Sequence, residues 1–552
     1  MMVDLTMYEA VKAAANKYPN DLALYYEGTK ISFKALLKRI DKMAEVLYNQ
    51  LGVRKNDIIV ISQPNIPETI VLFYAINKIG AISNLIHPFT PYNQVKAIMD
   101  KTNTKVAFLF EQRVAKEVEK YREIYDKIYV TRVEDDLPFF KKLFYHIFMN
   151  FRIRKKLGKL PAHFKFPGFR YTYQLKTHYL NSFQTSLDKN KCSVLLHSGS
   201  TTGKPKTICL SDYAFNFIAE RSDSFMSLSQ EQLRGHKMLS ILPSFHGFGL
   251  CMTMHAPLAN GFASILIPKF KPKKVAKVMD KVKFTCICGV PTIYEKLLLE
   301  PSFVNSKNLK NLHCCFCGGD SMPADLLNNF NIAMEKAGSK CRLFQGYGLT
   351  EAIAVNCVNT FNAHKDGSLG KAMPNVVFKI VDESGKELPK GEVGEITFKS
   401  GAIMLGYYQD EEATKNCIID GYLHTGDLGY IDEDGFIFFK SRKKRVVKVS
   451  GVAVFPSEVE QLIESMPEIT ACAAIRIPDP KLQSAIKVFV VATKVFDETE
   501  LKEKILETCR KYLIRWSVPT EIEFRKELPL TMLGKVDFKK LQEEEDKKRG
   551  LL

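Results

Sequence analysis

Residues 198–206 combine glycines, hydroxyls and lysines in the order Ser198-Gly199-Ser200-Thr201-Thr202-Gly203-Lys204-Pro205-Lys206. Glycines let backbone amides approach a ligand closely, and Lys206 adds a fixed positive charge. The segment therefore predicts a loop that holds a polyphosphate. A P-loop is rejected because the glycine spacing is one residue short and Pro205 stands where a Mg²⁺-binding hydroxyl belongs. An ordinary polar surface loop stays open as an alternative.

Three further segments contain glycine and end in a carboxylate residue. They are Gly318-Gly319-Asp320, Gly346-Tyr347-Gly348-Leu349-Thr350-Glu351 and Tyr422-Leu423-His424-Thr425-Gly426-Asp427. In the second segment Tyr347 could stack on adenine, Thr350 could donate to a phosphate, and Glu351 offers a hard oxygen ligand for Mg²⁺. Taken singly, each segment could be a simple turn. Together they indicate a site for a nucleotide and its metal ion.

The elements that must position these segments follow an alternating pattern. Short apolar runs near 58–61, 81–86, 106–110 and 128–130 are separated by amphipathic stretches, and the alternation resumes from 238 to 344. Such alternation predicts a parallel sheet with helices on both faces. Ligands of such sheets bind beyond the carboxyl ends of the strands. After residue 440 the pattern changes to that of a compact α+β unit of about 110 residues.

In this order the motifs resemble those of the adenylate-forming superfamily, which includes acyl- and aryl-CoA synthetases. The match extends to Ser441-Arg442-Lys443-Lys444-Arg445 and to Leu533-Gly534-Lys535-Val536-Asp537, and it covers essentially the whole chain. This sequence departs from the family pattern at four positions: Ser200, Thr207, Ser441 and Phe538. The resemblance implies an α/β fold with a large N-terminal domain of parallel-rich sheets and flanking helices, residues 1–440. A small mobile α+β domain, residues 441–552, would carry the catalytic lysine.

The resemblance also implies a role for each matching residue. Lys535, Thr350, Glu351 and Lys206 would be catalytic, with Glu351 as the ligand of Mg²⁺. ATP would be bound by Ser198, Gly199, Ser200, Thr201, Thr202, Gly203, Gly319, Asp320, Gly346, Tyr347, Gly348, Asp427 and Arg442, with Asp427 on the ribose. The acyl pocket would include Phe245, His246, Val290 and Gly318. Lys444 would be the hinge, and Gly451 would lie on the thiol side.

The reaction implied by the resemblance is AMP-forming ligation of a carboxylic acid to coenzyme A through acyl-AMP. His246 and its apolar neighbours, with no acidic partner for an ammonium group, favour a fatty or aryl acid as substrate. A ligase that loads a carrier-protein phosphopantetheine shares all of these motifs, and an inactive membrane-associated relative is a third alternative. The expected cofactors and co-substrates are ATP, Mg²⁺ and coenzyme A.

Charge is concentrated in one stretch of the chain. The net charge is +18, yet residues 137–187 contain no Asp or Glu and ten Lys or Arg, interleaved with Phe and Tyr. Cationic side chains beside aromatics suit an anionic membrane surface. A solvated loop whose aromatics pack inward remains open. Single-stranded nucleic acid is not expected, because no known nucleic-acid module accompanies the stretch.

Cysteine usage and hydropathy give the expected compartment. No window approaches about 18 uninterrupted apolar residues, and the first residues do not read as a signal peptide. We therefore expect a cytoplasmic protein with reduced thiols, either free or peripheral at the inner membrane surface. Five clustered cysteines fall in apolar runs without paired C-x-x-C spacing, and are predicted to be buried rather than zinc-binding: Cys286, Cys288, Cys314, Cys315 and Cys317.

Overall fold

The computed structural model describes residues 1–145, 147–148, 169–175, 188–198, 206–320, 322–493, 496–531 and 535–551. It has a large N-terminal part built on two extended sheets and a smaller C-terminal part with its own sheet. One apolar core runs through both large sheets and the helices between them. The mixed α/β architecture with two unequal domains is the predicted one.

The first large sheet has nine strands within the described residues. Their spatial order is Lys371–Ala372, Cys357–Val358, Arg342–Tyr347, Cys314–Cys317, Cys286–Gly289, Lys237–Ser240, Ala263–Leu266, Leu22–Tyr26 and Thr29–Ser32. Its central neighbours run parallel, and antiparallel pairs occur only toward the two edges. The carboxyl ends of the parallel strands therefore meet at one edge, which is where the predicted motifs follow.

The second large sheet has eight strands in the part of the chain that the structure describes. Their order is Gly406–Tyr407, Thr207–Ser211, Cys192–His197, Ile82–Leu85, Ile58–Ser62, Val106–Phe110, Ile128–Thr131 and Arg170–Tyr171. The strands predicted near 58, 81, 106 and 128 are confirmed within two residues. The strands Thr207–Ser211 and Gly406–Tyr407 were not predicted, and both run antiparallel to their neighbours.

The helices cover the faces of these sheets. Local signals explain several ends: Thr6 and Glu9 form a reciprocal capping box, Ser211 caps the next helix as predicted, and Gly80 closes a helix with φ 78°. Within the described residues, the α-helices whose two ends are both defined are Met7–Lys17, Phe33–Glu45, Pro67–Ile79, Tyr92–Lys101, Glu111–Val114, Val118–Tyr121, Asp212–Glu220, Ser222–Met226, Gly247–Leu250, Ala256–Ala259, Pro272–Val282, Pro291–Leu298, Pro301–Val304, Ala324–Lys336, Glu411–Lys415, Pro456–Glu464, Glu498–Tyr512 and Phe538–Lys548.

A five-stranded antiparallel sheet leads from the large part to the C-terminal part. Its strands in the described chain are Val377–Val381, Gly394–Lys399, Ile418–Ile419, Tyr422–Ile431 and Ile437–Arg442. A 3₁₀ turn, Lys443–Arg445, and a hairpin, Val447–Val449 with Val452–Val454, follow directly. The segment around Gly451, predicted as a loop, is the two-residue turn of that hairpin.

The C-terminal part is a three-stranded sheet of Ile469–Asp479, Gln483–Ala492 and Glu521–Phe524. Two helices, Pro456–Glu464 and Glu498–Tyr512, pack on one face, and Leu541 of the last helix packs on the other. A compact α+β unit is predicted here from the sequence; the last helix, Phe538–Lys548, is not. The boundary at 440/441 stays a prediction.

The clustered cysteines are buried on neighbouring parallel strands of the nine-stranded sheet, as predicted. The thiols of Cys286 and Cys314 lie 3.9 Å apart, and those of Cys315 and Cys341 lie 3.6 Å apart. Burial raises the pKa of Cys288 and Cys317 well above the usual value. Among the described residues, no helix combines the length and apolar character needed to cross a bilayer.

Candidate active site

The two ends of the predicted phosphate loop are joined by backbone hydrogen bonds. The Ser198 N–H donates to the carbonyl of Lys206 over 2.9 Å, and the Lys206 N–H donates to the Ser198 hydroxyl over 3.1 Å. The loop thus closes the antiparallel hairpin of Cys192–His197 and Thr207–Ser211. The other candidates of this loop lie outside the described residues: Gly199, Ser200, Thr201, Thr202 and Gly203.

Lys206 and Glu351 face the same tyrosine. The Lys206 ammonium lies 4.3 Å from the ring centre of Tyr407, and the Tyr407 hydroxyl donates to Glu351 Oε1 over 3.1 Å. Burial and the Glu351 carboxylate raise the pKa of Tyr407, so its hydroxyl remains a donor. Tyr407 was not predicted, because nothing in its local sequence marks it. Tyr407 thus contacts a cation through its ring and a carboxylate through its hydroxyl, which brings together groups suited to a phosphate and its metal ion.

The carboxylate of Asp427 is almost fully buried between two partners. The Tyr347 hydroxyl donates to its Oδ2 over 2.7 Å. Arg442 lies opposite on the neighbouring strand, with its Nε 2.7 Å from Oδ1. That contact is off the hydrogen-bond direction, so Oδ1 lacks a hydrogen-bond partner among the described residues. Burial raises the pKa of Asp427, while the Arg442 charge opposes the rise. An unsatisfied buried acceptor beside Tyr347 suits a ligand hydroxyl.

Asp427→Ala is expected to weaken ATP binding. Losing hydrogen bonds to a charged group costs about 2 kcal/mol, roughly thirtyfold in affinity. The measurement is calorimetric titration with ATP, and the matched variant is Tyr347→Phe, which removes one donor but keeps the carboxylate. Both half-reactions should slow in Asp427→Ala if the ribose is held throughout. Unchanged nucleotide affinity in a folded Asp427→Ala protein would contradict the assignment.

Three loops at the carboxyl edge of the nine-stranded sheet pack so closely that only glycine fits. A Cβ at Gly348 would lie 1.3 Å from the Ala354 carbonyl oxygen, and one at Gly247 would lie 1.9 Å from the Ile353 oxygen. Ile353 itself has φ 64°, which a β-branched residue rarely adopts. Gly318 approaches the Gly346 carbonyl, where a Cβ would lie at 3.0 Å. The motifs predicted from separate segments thus pack against one another and form one continuous surface of the candidate site.

His246 lies on the apolar side of this surface. Its pKa is lowered to about 4 by burial, with a further contribution from the positive charge of Lys535, so the imidazole is neutral at pH 7. The loop is fixed by Asn65, whose side chain accepts from the Ser244 N–H over 3.0 Å and donates to the Leu242 carbonyl over 2.7 Å. Sequence inspection missed Asn65, which is distant in the chain.

The other acyl-pocket candidates lie around the same loop. The ring centre of Phe245 is 4.8 Å from that of His87, in an edge-to-face contact. Val290 follows the strand Cys286–Gly289 and is in van der Waals range of Gly319, where a built Cβ would meet it at 3.7 Å. Gly319 and Asp320 are exposed at the end of the next strand. Among the described residues, no acidic group contributes to the pKa shift of His246.

Lys535 reaches this site from the C-terminal part. Its segment forms a turn in which the Thr531 N–H donates to the Lys535 carbonyl over 2.7 Å. Burial lowers the pKa of Lys535, the carboxylates of Asp320 and Asp427 oppose that shift, and the Arg442 charge adds to it. The side chain therefore lies within electrostatic range of nucleotide-side and acyl-side candidates at once.

The hinge and thiol-side candidates lie apart from this cluster. Lys444 is the middle residue of the 3₁₀ turn Lys443–Arg445, directly after the strand that ends in Arg442. Gly451 is exposed at the tip of the following hairpin with φ 81°. The neighbouring Ser450 N–H donates to the Leu482 carbonyl over 3.1 Å. Gly451 is thus held by the C-terminal sheet.

The donor set fits a Mg²⁺ ion that arrives with a nucleotide. Glu351 offers a carboxylate and Thr350 a neighbouring hydroxyl, whereas the described residues contain no group of three or more His, Cys, Asp or Glu able to hold a metal. Mg²⁺ is usually bound through one or two carboxylates and substrate phosphates. Glu351 matches that mode of binding.

Comparison with known families extends over most of the chain. Residues 11–408 match the family described as AMP-binding enzyme, and residues 458–535 match the AMP-binding enzyme C-terminal domain. The long-chain-fatty-acid–CoA ligase of Bacillus subtilis is 30% identical over 543 residues, covering 98% of this chain and 94% of that protein. The ligase of the same name from Salmonella typhimurium is 29% identical, with the same coverage of 98% and 94%.

Solved structures share the fold at lower identity. The anthranilate CoA ligase AuaEII in complex with anthranoyl-AMP has a TM-score of 0.84 and 22% identity, covering 100% of this chain and 99% of that one. The o-succinylbenzoate CoA synthetase of Bacillus subtilis with ATP and magnesium has a TM-score of 0.77 and 22% identity, covering 97% and 99%. These likenesses establish the two-part fold.

Proposed function

The chain belongs to the AMP-binding enzyme family, and from this premise we propose that it is an ATP-dependent acid–thiol ligase that converts a fatty or aryl acid through acyl-AMP into its coenzyme A thioester. The observation that carries the proposal is the position of Lys535. It joins the Asp427–Arg442 pair and His246 in one electrostatic cluster, although it belongs to the C-terminal part. An adenylate-forming site needs such a cation where nucleotide and acid meet.

In the first half-reaction the acid's carboxylate oxygen attacks the α-phosphorus of ATP, and the bond to pyrophosphate breaks. Charge builds on the α-phosphate and on the leaving group, so fixed cations and amides accelerate this step. Lys535 would contact the α-phosphate, Lys206 the leaving phosphates, and Glu351 would hold Mg²⁺. Asp427 and Tyr347 would orient the nucleoside. No side chain needs to act as a nucleophile.

In the second half-reaction the thiol sulfur of coenzyme A attacks the acyl carbon, and AMP leaves. Lys535 is then no longer required, and space for the thiol arm must open. We expect the C-terminal part to rotate about Lys444, removing Lys535 and bringing the exposed Gly451 turn to the site. Lys444 suits a hinge because it is exposed between two anchored neighbours: Lys443 pairs with Glu395 over 3.1 Å, and Arg445 pairs with the buried Glu460 of the C-terminal part.

Lys444→Pro is expected to spare adenylation and to block thioester formation. A 3₁₀ turn has φ near the value that a proline ring imposes, so the ring should retain the observed orientation and oppose rotation. Lys444→Ala is the matched variant, because it removes the same charge without restricting φ. Pyrophosphate release and thioester formation are measured separately. Normal turnover of Lys444→Pro with coenzyme A would place the hinge elsewhere.

The choice of a fatty acid as the leading substrate class has two supports. Two relatives that match over almost the whole chain carry the name long-chain-fatty-acid–CoA ligase. The acyl side of the site offers Phe245, a neutral His246 and Val290, and no carboxylate of the described residues contributes to the pKa shift of His246. An apolar tail favours such surroundings. Aryl acids fit the same chemistry, and the solved anthranilate ligase shares the fold.

The test is a panel of saturated fatty acids of increasing chain length with benzoate and an amino acid, each with ATP and Mg²⁺. Mass spectrometry measures acyl-AMP without coenzyme A and the thioester with it. We expect both products, with a fatty acid preferred. If no acid of the panel gives pyrophosphate release, the result would favour the inactive relative. Acyl-AMP that passes to a phosphopantetheinylated carrier but not to coenzyme A would favour the carrier-loading ligase.

A further inference from the structure

Residues 139–145 and 147–148 form a helix whose apolar side faces outward. On a helical wheel one half contains only apolar side chains, which are about half to four-fifths exposed; we call them the outward face: Phe139, Phe140, Leu143, Phe144, Ile147 and Phe148. Helices of globular proteins normally turn such a stripe toward the core. Within this face, the ring centres of Phe139 and Phe140 lie 5.6 Å apart, and those of Phe144 and Phe148 lie 6.3 Å apart.

The polar side of the same helix is the one that attaches it to the protein. Lys141 donates to the Glu27 carbonyl over 2.5 Å and pairs with the Glu27 carboxylate at 3.1 Å. Lys142 lies 3.8 Å from Asp135. The Tyr145 hydroxyl donates to the buried Glu111 over 3.0 Å. These contacts attach the helix to the protein through its polar side. The outward face is therefore exposed in a helix whose orientation is fixed.

We propose that the outward face is a docking surface for an anionic lipid bilayer. A bilayer supplies both an apolar layer for the rings and negative headgroups for the basic stretch of sequence to which the helix belongs. Residues 137–187 contain ten Lys or Arg and no Asp or Glu. A second copy of the chain would bring the same positive charge to the interface, and so fits the surface less well. Exposed apolar patches of this kind mark interaction sites.

The helix is also connected to the acyl side of the site. Glu111, which binds Tyr145, directly follows the strand Val106–Phe110. The ring of Phe110 is 5.5 Å from that of Phe89, and His87 lies between Phe89 at 6.0 Å and Phe245 at 4.8 Å. Docking would therefore bring a bilayer close to the acid-binding side. This proximity would let the protein collect a lipid-soluble acid from the bilayer, and that role rests on the proposed function. The docking itself does not.

The experiment is sedimentation of the full chain with vesicles of phosphatidylcholine alone or with phosphatidylglycerol, at low and high salt. We expect binding to the anionic vesicles that falls as salt screens the charges. The double variant Phe140→Ser/Phe144→Ser should bind at least tenfold more weakly. The matched control, Leu299→Ser/Tyr512→Ser, removes two exposed apolar side chains elsewhere and should bind as the wild type does.

Several outcomes would overturn the proposal, and none depends on ligase activity. Wild type that ignores anionic vesicles at low salt, or a double variant that binds them equally well, would exclude docking through this face. Equal binding to neutral vesicles would exclude selection of an anionic surface. A dimer that the double variant dissociates, without vesicle binding, would assign the face to a second copy. Binding of single-stranded DNA without vesicle binding would assign it to nucleic acid. Thermal unfolding of each variant verifies that it is folded.

Discussion

Lys535→Ala is expected to lower the rate of adenylation by roughly 10²–10³, the usual loss when one preorganised donor is removed from a developing charge. The structure gives the physical reason. Lys535 is partly exposed and lies within electrostatic range of the carboxylates of Asp320 and Asp427 and of His246. Burial lowers its pKa, which indicates that its ammonium lies in a partly desolvated site, where it acts on charge more strongly than it would in water. Pyrophosphate release with the preferred acid measures this half-reaction.

The second half-reaction distinguishes catalysis from a general loss of structure. Thioester formation from preformed acyl-AMP should be nearly unaffected in Lys535→Ala, because the lysine has left the site by then. Lys540→Ala removes an exposed charge from the following helix and should leave both steps unchanged. An equal loss of both half-reactions in Lys535→Ala would refute its assignment to adenylation.

Gly247→Ala is expected to reduce overall turnover on the order of 10²-fold without unfolding the protein. The added Cβ would lie 1.9 Å from the Ile353 carbonyl oxygen, so one of the two backbones must move. That displacement would separate the His246 loop from the Thr350–Glu351 turn, and with it the acid from the phosphates. Steady-state kinetics measures the effect, and circular dichroism verifies that the fold is retained.

Gly385→Ala is the matched control for that substitution. Gly385 has φ 87°, and an added methyl group there would meet nothing within 4 Å. It therefore introduces backbone strain remote from the site, but no collision. We expect a small loss of stability and normal kinetics. If Gly247→Ala also retained normal kinetics, the close contact between the two loops would have no part in positioning the reactants.

The parallel strands could be predicted because each is a short, continuously buried apolar run such as Ile58–Ser62. The strands Thr207–Ser211 and Gly406–Tyr407 could not. Thr207–Ser211 has only three apolar residues between two hydroxyl residues, and Gly406–Tyr407 is two residues long. The two strands pair with each other although they are about 200 residues apart in the chain, and the local sequence does not indicate such pairing.

The site was predictable where glycine spacing and a carboxylate mark a turn, as at Glu351 and Asp427. The residues that hold those groups were not. Tyr407 contacts both Lys206 and Glu351, and Asn65 bonds the Ser244 loop from the opposite large sheet. Each contacts groups that are distant from it in the chain, so its local sequence does not indicate the role. The electrostatic roles assigned to individual residues stay predictions that the variants above can test.

Asp427 and Arg442 face each other on neighbouring strands, and both precede the turn at Lys443–Arg445. A rotation of the chain beyond Lys444 would carry Lys535 away and leave this carboxylate–guanidinium pair where it is. An adenylate held by the pair would then remain on the large domain while the thiol takes the place of the lysine. The fraction of acyl-AMP lost to bulk water would then be set by how fast the nucleoside leaves this one hairpin relative to how fast the smaller domain rotates and the thiol attacks.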